Sequence, residues 1–532
     1  MEAIYTDPDT GLRLDRATRR LIVAFLGTAF VILGGAATAA LLVALTRAPA
    51  IQLLWPSAYY MALTFHGILA LTMWPHVMEG AIWLWACTAL LRTRLVSPAL
   101  GWLAYGLAAL GILMVLGTVA SGKASVMYTL YVPLRADPLF YLGHVLYAVG
   151  LLVLMVLFGL QLLKARAEGS YMGSLPLLTY GMAVCAIITV VAIIGAVAAF
   201  VPAMLWAFRI LVTKVDPLYF KATFWSMGHT LQYTNITAMV VAWYATATFA
   251  LRAKPVSEKF SRWAFSLYLV TTLPVFMHHL LVDPTWSHAV KWVGATFVGV
   301  LLGIPSAMHG LAVPASVEKT LRGRGATGLW GWLPRWGWGD PSMVLLAFSV
   351  VLFGIGGFDG TVATTLQLNM TRHNNMWMPA HIHGALAGGT TLGFIAFAYG
   401  FLPHLGFEIR AKRLARFQAW LTGIGFLVLM AAMHWGAHYG VPRRMPDIGF
   451  AGADAPVPNW FAPMNLLGVG GLMAATGLLI FVAIGLTSLL AGSTRQPELL
   501  AEARDLAPAP EPPGRLLGAT AAAGIAPGPT AG

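Results

Sequence analysis

The sequence predicts an all-α polytopic membrane protein of about 12 transmembrane helices, held as one domain. Three observations predict it. Of 532 residues 58% are hydrophobic, only 10% are charged, and apolar runs of about 20 residues or more recur along almost the whole chain. A soluble globular chain carries roughly a quarter charged residues, so this composition belongs in lipid.

The runs fall near 20–46, 58–91, 98–120, 139–163, 174–206, 219–251, 262–282, 287–312, 342–358, 376–402, 415–436 and 462–491. No small-residue cleavage site follows the first run, which therefore reads as a membrane span and not as a signal peptide. Residues 1–19 then form a cytoplasmic N-terminal segment and 20–491 the transmembrane domain. The stretch 492–532, rich in Ala, Pro and Gly, reads as a disordered cytoplasmic tail. The longest cytoplasmic loop, about 312–340, carries the Trp-rich run GLWGWLPRWGWGD typical of a membrane interface.

A net charge of +13 invites a nucleic-acid reading, but its placement excludes one. With the N-terminus in the cytoplasm, loops on that side hold about 23 of the 33 Lys and Arg, among them Arg13, Arg16, Arg19, Arg20, Arg252, Lys254, Arg410 and Lys412. The basic excess orients the chain in the bilayer, with both termini cytoplasmic. The two cysteines, Cys87 and Cys185, lie in apolar runs; no CxxCH or CxxC is present. A thiolate-bound dinuclear copper centre is therefore not on this chain.

Histidine is costly inside a bilayer, and each intramembrane one is a functional hypothesis by default. Of 14 histidines, six share one depth in the predicted topology. His66 opens the second span, His229 lies two to three turns into the sixth, His278 and His279 close the seventh, and His381 and His383 open the tenth. All six fall in the outer half of the membrane. His381 and His383, two apart on a helix, point about 200° apart and would serve different centres. His66, alone in TFHGILAL, offers a partner for His383 on a haem, with Gly67 leaving room for a flat macrocycle. The adjacent His278 and His279 with His229 make three imidazoles suited to copper. Tyr233, four residues from His229, shares its helical face. By contrast His76, His144 and His434, each isolated on its span, read as helix–helix hydrogen-bonding residues. Glu79 is the only carboxylate this reading places well inside a span, as a proton relay or as a partner for a neighbouring helix.

Six segments, in this order and spacing, resemble subunit I of the haem–copper oxygen reductases, closest to the B-type (ba-type) branch: YTLYVPLRADPLFYLG, DPLYFKATFWSMGHTLQY, HHLLVDPTWSHAVKWVG, GIPSAMHGLAV, HNNMWMPAHIHG and HWGAHYGVPRRMPDI. The resemblance runs from about His66 to Arg444. It implies a low-spin haem, expected to be of b type, on His66 and His383. It also implies a high-spin haem of a, b or o type on His381, facing one copper ion (CuB) on His229, His278 and His279. Tyr233 matches the tyrosine linked to the first copper histidine, which supplies an electron and a proton when the O–O bond breaks. Arg443, Arg444 and His373 match the haem-propionate region, and Trp225 and Trp377 look like packing near the haems. Tyr244, Ser306 and His309 fall on the proton-input path. The implied activity is that of a cytochrome c oxidase, reducing O2 to water with coupled proton uptake. The implied partners are a subunit II carrying a CuA centre, or another electron-delivering subunit, and cytochrome c, in a bacterial inner membrane.

The sequence departs from the family's pattern at Thr230, where a proline is usual, and at Gln232 before the tyrosine. Asn369 stands for an acidic residue near the propionates, His309 for a threonine, and Val240 for a tyrosine one turn before Tyr244. Two other functions stay open at this point. A nitric oxide reductase on the same scaffold typically alters a metal histidine or loses the tyrosine, and this chain keeps all of them. A proton-coupled transporter would use the histidines without haem.

Overall fold

The structure is a computed structural model that describes residues 2–6, 11–171, 173–272, 275–447, 457–492 and 498–500. Helix follows helix: α1 (Arg16–Arg47), α2 (Pro56–Ile68), α3 (Trp74–Thr88), α4 (Pro98–Ala120), α5 (Pro138–Ala167), α6 (Leu177–Ala207), α7 (Pro217–Leu251) and α8 (Glu258–Thr271). The second half holds α9 (His288–Lys291), α10 (Val298–Gly323), α11 (Pro341–Thr364), α12 (Leu366–Arg372), α13 (Trp377–Ile382), α14 (Leu392–His404), α15 (Lys412–His438) and α16 (Phe461–Leu490). Three π-helical turns, Leu69–Met73, Trp292–Phe297 and His383–Thr391, join α2 to α3, α9 to α10 and α13 to α14 into continuous rods.

Among the described residues, ten segments are long and apolar enough to cross a membrane. The other two expected runs are also helical but interrupted. One is the rod at 56–88, broken by its π turn. The other is α8, which gives way to a 3-10 helix at Val275–Leu280. That break carries His278 and His279. The loop expected from about 312 proves shorter, because α10 continues to Gly323. The tail expected to be disordered lies outside the described residues, save Gly492 and Glu498–Leu500. The latter strand pairs with Glu2–Thr6, which also pairs with Arg13–Asp15.

Three helices start where the chain reads Asp-Pro. Asp137, Asp216 and Asp340 cap α5, α7 and α11 by accepting from Leu139 N, Tyr219 N and Ser342 N, and the proline that follows opens each helix. A proline there loses no hydrogen bond, since the first turn's N–H groups have no intrahelical partner. Two spans, 217–251 and 377–404, are the most buried. They form the centre of the bundle and carry His229, His381 and His383.

Lipid tails give helices no hydrophobic reason to associate, so close backbone packing does that work. A Cβ added at Gly111 of α4 would stand 2.4 Å from Gly143 O and 2.6 Å from Tyr147 N of α5. These are backbone atoms, which cannot step aside. We predict that Gly111→Val destabilises the detergent-solubilised protein by about 3 kcal/mol, the upper end of overpacking costs. Gly106→Val on the same helix, where a Cβ meets nothing within 4 Å, should leave thermal unfolding near wild type. Equal midpoints for the two variants would refute this account of the α4–α5 contact.

Candidate metal and haem centre

One cavity of about 890 Å³ runs through the bundle, and its wall includes His66, His229, His278, His279, His381 and His383. The four spans that carry these residues thus bring them to a single space. Most of the remaining wall is apolar, with Tyr233, Trp225, Ser306, Asn369, His373, Arg443 and Arg444 among the exceptions.

His66 and His383 face each other with ring centres 6.2 Å apart and planes 24° apart. Two imidazoles sharing one metal ion end to end, each with a metal–nitrogen bond of about 2.0–2.1 Å, have ring centres about 6 Å apart, so the pair fits an axial ligand set. Each ring is anchored at its other nitrogen. His66 Nδ1 donates to Ala36 O of α1 at 3.1 Å, and His383 Nδ1 to Pro379 O at 2.7 Å. His381 Nδ1 donates to Gly356 O of α11 at 2.7 Å. A carbonyl acceptor fixes the tautomer, which leaves Nε2 as the lone-pair nitrogen for a metal. Gly360, one turn beyond Gly356, admits this ring; a Cβ there would stand 2.7 Å from His381 Cε1. Gly67, after His66, lines the cavity and is also constrained by its neighbour, since a Cβ there would meet Tyr128 Cβ at 2.7 Å.

His229, His278 and His279 each offer a ring nitrogen within 4.8 Å of the others, spacing that suits one ion. His229 Nδ1 and His279 Nε2 are 2.8 Å apart. Trp225, one turn before His229 on α7, lies flat on the His279 ring, with centres 3.4 Å apart and planes 3° apart. Its indole N–H donates to Tyr131 Oη. Stacking on one side and copper ligation on the other would leave His279 little freedom. Tyr233 sits 5.4 Å from His229, ring to ring.

The cavity wall also carries two arginines, Arg443 and Arg444. Arg443 and Arg444 have no carboxylate partner among the described residues; Arg443 donates to Asn374 Oδ1 at 3.3 Å. Burial, with Arg444 beside it, pushes the Arg443 guanidinium down to about 10. Burial and then the charges of Arg443 and Lys221 push the His373 imidazole down to about 3, so it is neutral. His373 Nδ1 bonds Asn369 Oδ1 at 3.1 Å, and Asn369 Nδ2 donates to Ala363 O, which fixes the amide's orientation. A site with this much unbalanced positive charge fits a ligand that brings carboxylates.

Of the expected proton-path residues, Ser306 borders the cavity, while Tyr244 and His309 lie outside its wall. Tyr244 Oη bonds Ser261 Oγ at 2.8 Å and His309 Nδ1 at 3.4 Å. Sequence reasoning missed Tyr268 of α8, whose hydroxyl is 3.1 Å from Ser306 Oγ. It also missed Asp359, which lies within α11 and pairs with His434 Nε2 at 2.9 Å. Glu79 is therefore not alone, although it is fully buried with neither oxygen hydrogen-bonded. Trp377 packs edge-on against His434 under the Arg372 guanidinium, apart from the cavity wall. His76 bridges from α3 to Thr234 of α7 at 3.0 Å, and His144 bonds its own helix at Phe140 O.

Comparison with known proteins agrees with this arrangement. Residues 20–474 match the family described as Cytochrome C and Quinol oxidase polypeptide I. A cytochrome c oxidase subunit 1 from Thermus thermophilus is 30% identical over 448 residues, 83% of this chain and 78% of that protein. A haem–copper oxidase subunit I+III from Aeropyrum pernix is 26% identical over 83% of this chain and 52% of its own length. The solved structure of a haem–copper terminal oxidase dimer superposes with a TM-score of 0.84 at 25% identity, covering 91% of this chain and 86% of that one. These likenesses favour an oxidase over a nitric oxide reductase. The chain belongs to the cytochrome c and quinol oxidase polypeptide I family and is a haem–copper terminal oxidase subunit.

Proposed function

We propose that this subunit reduces O2 to water in the single cavity that its six convergent imidazoles line. The observation that carries the proposal is the pair of arrangements in that wall. His66 and His383 oppose each other at haem-ligand spacing, and His229, His278 and His279 gather within reach of one ion. On this reading His66 and His383 hold a low-spin haem of b type, His381 a high-spin haem of a, b or o type, and the histidine triad a copper ion. Together these groups would supply an open metal position for O2 and most of the electrons its reduction needs.

The chain's own residues do the rest. Arg443 and Arg444 would hold haem carboxylates through charge-assisted hydrogen bonds, and His373, whose Nδ1–H goes to Asn369 Oδ1, would stand beside them as a neutral ring. Tyr233 holds a transferable proton at Oη beside the copper triad. Trp225 keeps the His279 ring in place by stacking. Ser306, His309 and Tyr244 bring protons from the side of the basic loops. The apolar wall keeps bulk water out, so a charge arriving at the site is costly unless a proton follows it. That dependence is what couples electron arrival to proton uptake.

Electrons come from outside this chain. Cys87 and Cys185 are both buried and bond backbone carbonyls at Leu84 and Thr234, so neither is placed to hold a dinuclear copper centre. A subunit II with a CuA centre, fed by cytochrome c, is the partner this arrangement calls for, in a bacterial inner membrane with both termini cytoplasmic.

Two measurements test the proposal. His279→Ala should keep the low-spin haem spectrum while losing bound copper, with O2 turnover falling below about 1% of wild type, since even outer-shell changes cost about 10–100-fold. His66→Ala should remove the low-spin signal. Undiminished turnover in His279→Ala would refute the copper assignment. Parallel electrode traces should show O2 consumed far faster than NO, and the reverse order would make the enzyme an NO reductase.

A further inference from the structure

Val240, where the resemblance expects a tyrosine, is packed with no exposed surface on α7 and brings no hydroxyl to the proton path. On α8 the structure supplies one. Tyr268 is fully buried, its hydroxyl 3.1 Å from Ser306 Oγ on α10. Its ring lies 5.9 Å from that of Tyr233 and 6.0 Å from that of His309, the latter nearly parallel at 17°. Three helices thus meet at this one phenol.

The polar groups below it form a directed chain. Ser257 is exposed at the start of α8, beside the basic loop. Ser261 Oγ donates to Ser257 O at 3.0 Å. Ser261 Oγ is also 2.8 Å from Tyr244 Oη, and turning its proton there frees Tyr244 to donate onward. Tyr244 Oη then donates to His309 Nδ1 at 3.4 Å, which puts that ring's own proton on Nε2. Nε2 is buried and has no hydrogen-bond partner. Ser306 lies one helical turn before His309, on the same face of α10. Beyond it the cavity wall holds Ser306 and Tyr233 together.

We propose that Tyr268 is the relay residue that joins His309 to Tyr233, with Ser306 as its partner, in place of the hydroxyl missing at Val240. A proton passed from Tyr244 Oη to Nδ1 of His309 releases the one held at Nε2, across one bridging water, to the Tyr268–Ser306 pair, and Tyr244 is refilled from Ser261. That pair gives up its own proton toward Tyr233. One proton enters, one leaves, and each hydroxyl ends with the proton count it began with. The inference rests on the oxidase reading of the cavity.

The test uses the whole oxidase, purified with its partner subunits. Tyr268→Phe removes one oxygen and keeps the ring. It should leave both haem spectra and carbon monoxide binding unchanged, which a merely structural role would disturb. Proton uptake during a single turnover of the reduced enzyme with O2 should slow at least about tenfold, and steady-state turnover with it. Ser306→Ala should slow uptake similarly, and the double variant should be no slower than either single one, because both break the same link. Proton uptake within about twofold of wild type in a spectrally intact Tyr268→Phe enzyme overturns the proposal. So does a double variant whose losses multiply; should Tyr268→Phe assemble poorly, proton uptake within about twofold of wild type in Ser306→Ala overturns the proposal. A wild-type enzyme without haem signals would instead overturn the oxidase reading itself.

Discussion

An imidazole inside a bilayer has two nitrogens to satisfy, and the structure of this protein turns on how it satisfies only one of them. His66, His381 and His383 each donate Nδ1–H to a backbone carbonyl, and the three carbonyls belong to Ala36, Gly356 and Pro379. The hydrogen bond fixes tautomer and ring direction together, and it leaves Nε2 of each ring with its lone pair in a residue of the cavity wall. The readiness of these rings to take a metal therefore depends on the helix backbones and not only on the histidines.

Holding those carbonyls in position is a packing problem. Gly360 and Gly356 sit on the face of α11 turned toward His381 and the π turn that follows it, and a Cβ on Gly356 would come within 2.3 Å of Ala385 N. Glycine at these places keeps α11 close enough for the 2.7 Å hydrogen bond to His381. Asp-Pro starts fix where α5, α7 and α11 begin, and so set the height of the residues they carry. The π turn at His383–Thr391 begins at a proposed haem ligand, in keeping with the frequent occurrence of such turns at functional sites.

Much of this was legible in the sequence, because it depends on signals that composition and spacing carry directly. Hydropathy marked the twelve helical runs, and shared depth singled out six histidines that the fold brings to one cavity. Other features left no such trace. A tyrosine in an apolar run looks like filling, so Tyr268 gave no sign of a polar role until α10 was seen beside it. Asp359 lay one residue past the end of its apolar run and was overlooked, although α11 extends five residues further. The end of α8 at Thr271, ahead of His278 and His279, does have a sequence signal in Pro274, but the long apolar run around it hides the break. For Tyr268 the missing information was the identity of the neighbouring helix.

His381 and His383 lie two residues apart across the junction of one continuous rod, about 3 Å along its axis at 1.5 Å rise per residue. Electron tunnelling falls off exponentially with distance, so a donor and acceptor carried on separate helices would see their exchange rate fluctuate as the bundle breathes. On the proposed assignment both haem ligands ride on a single stiff segment, which would remove that source of variation. Thermal motion between helices could then gate substrate and protons while the electronic spacing stayed constant.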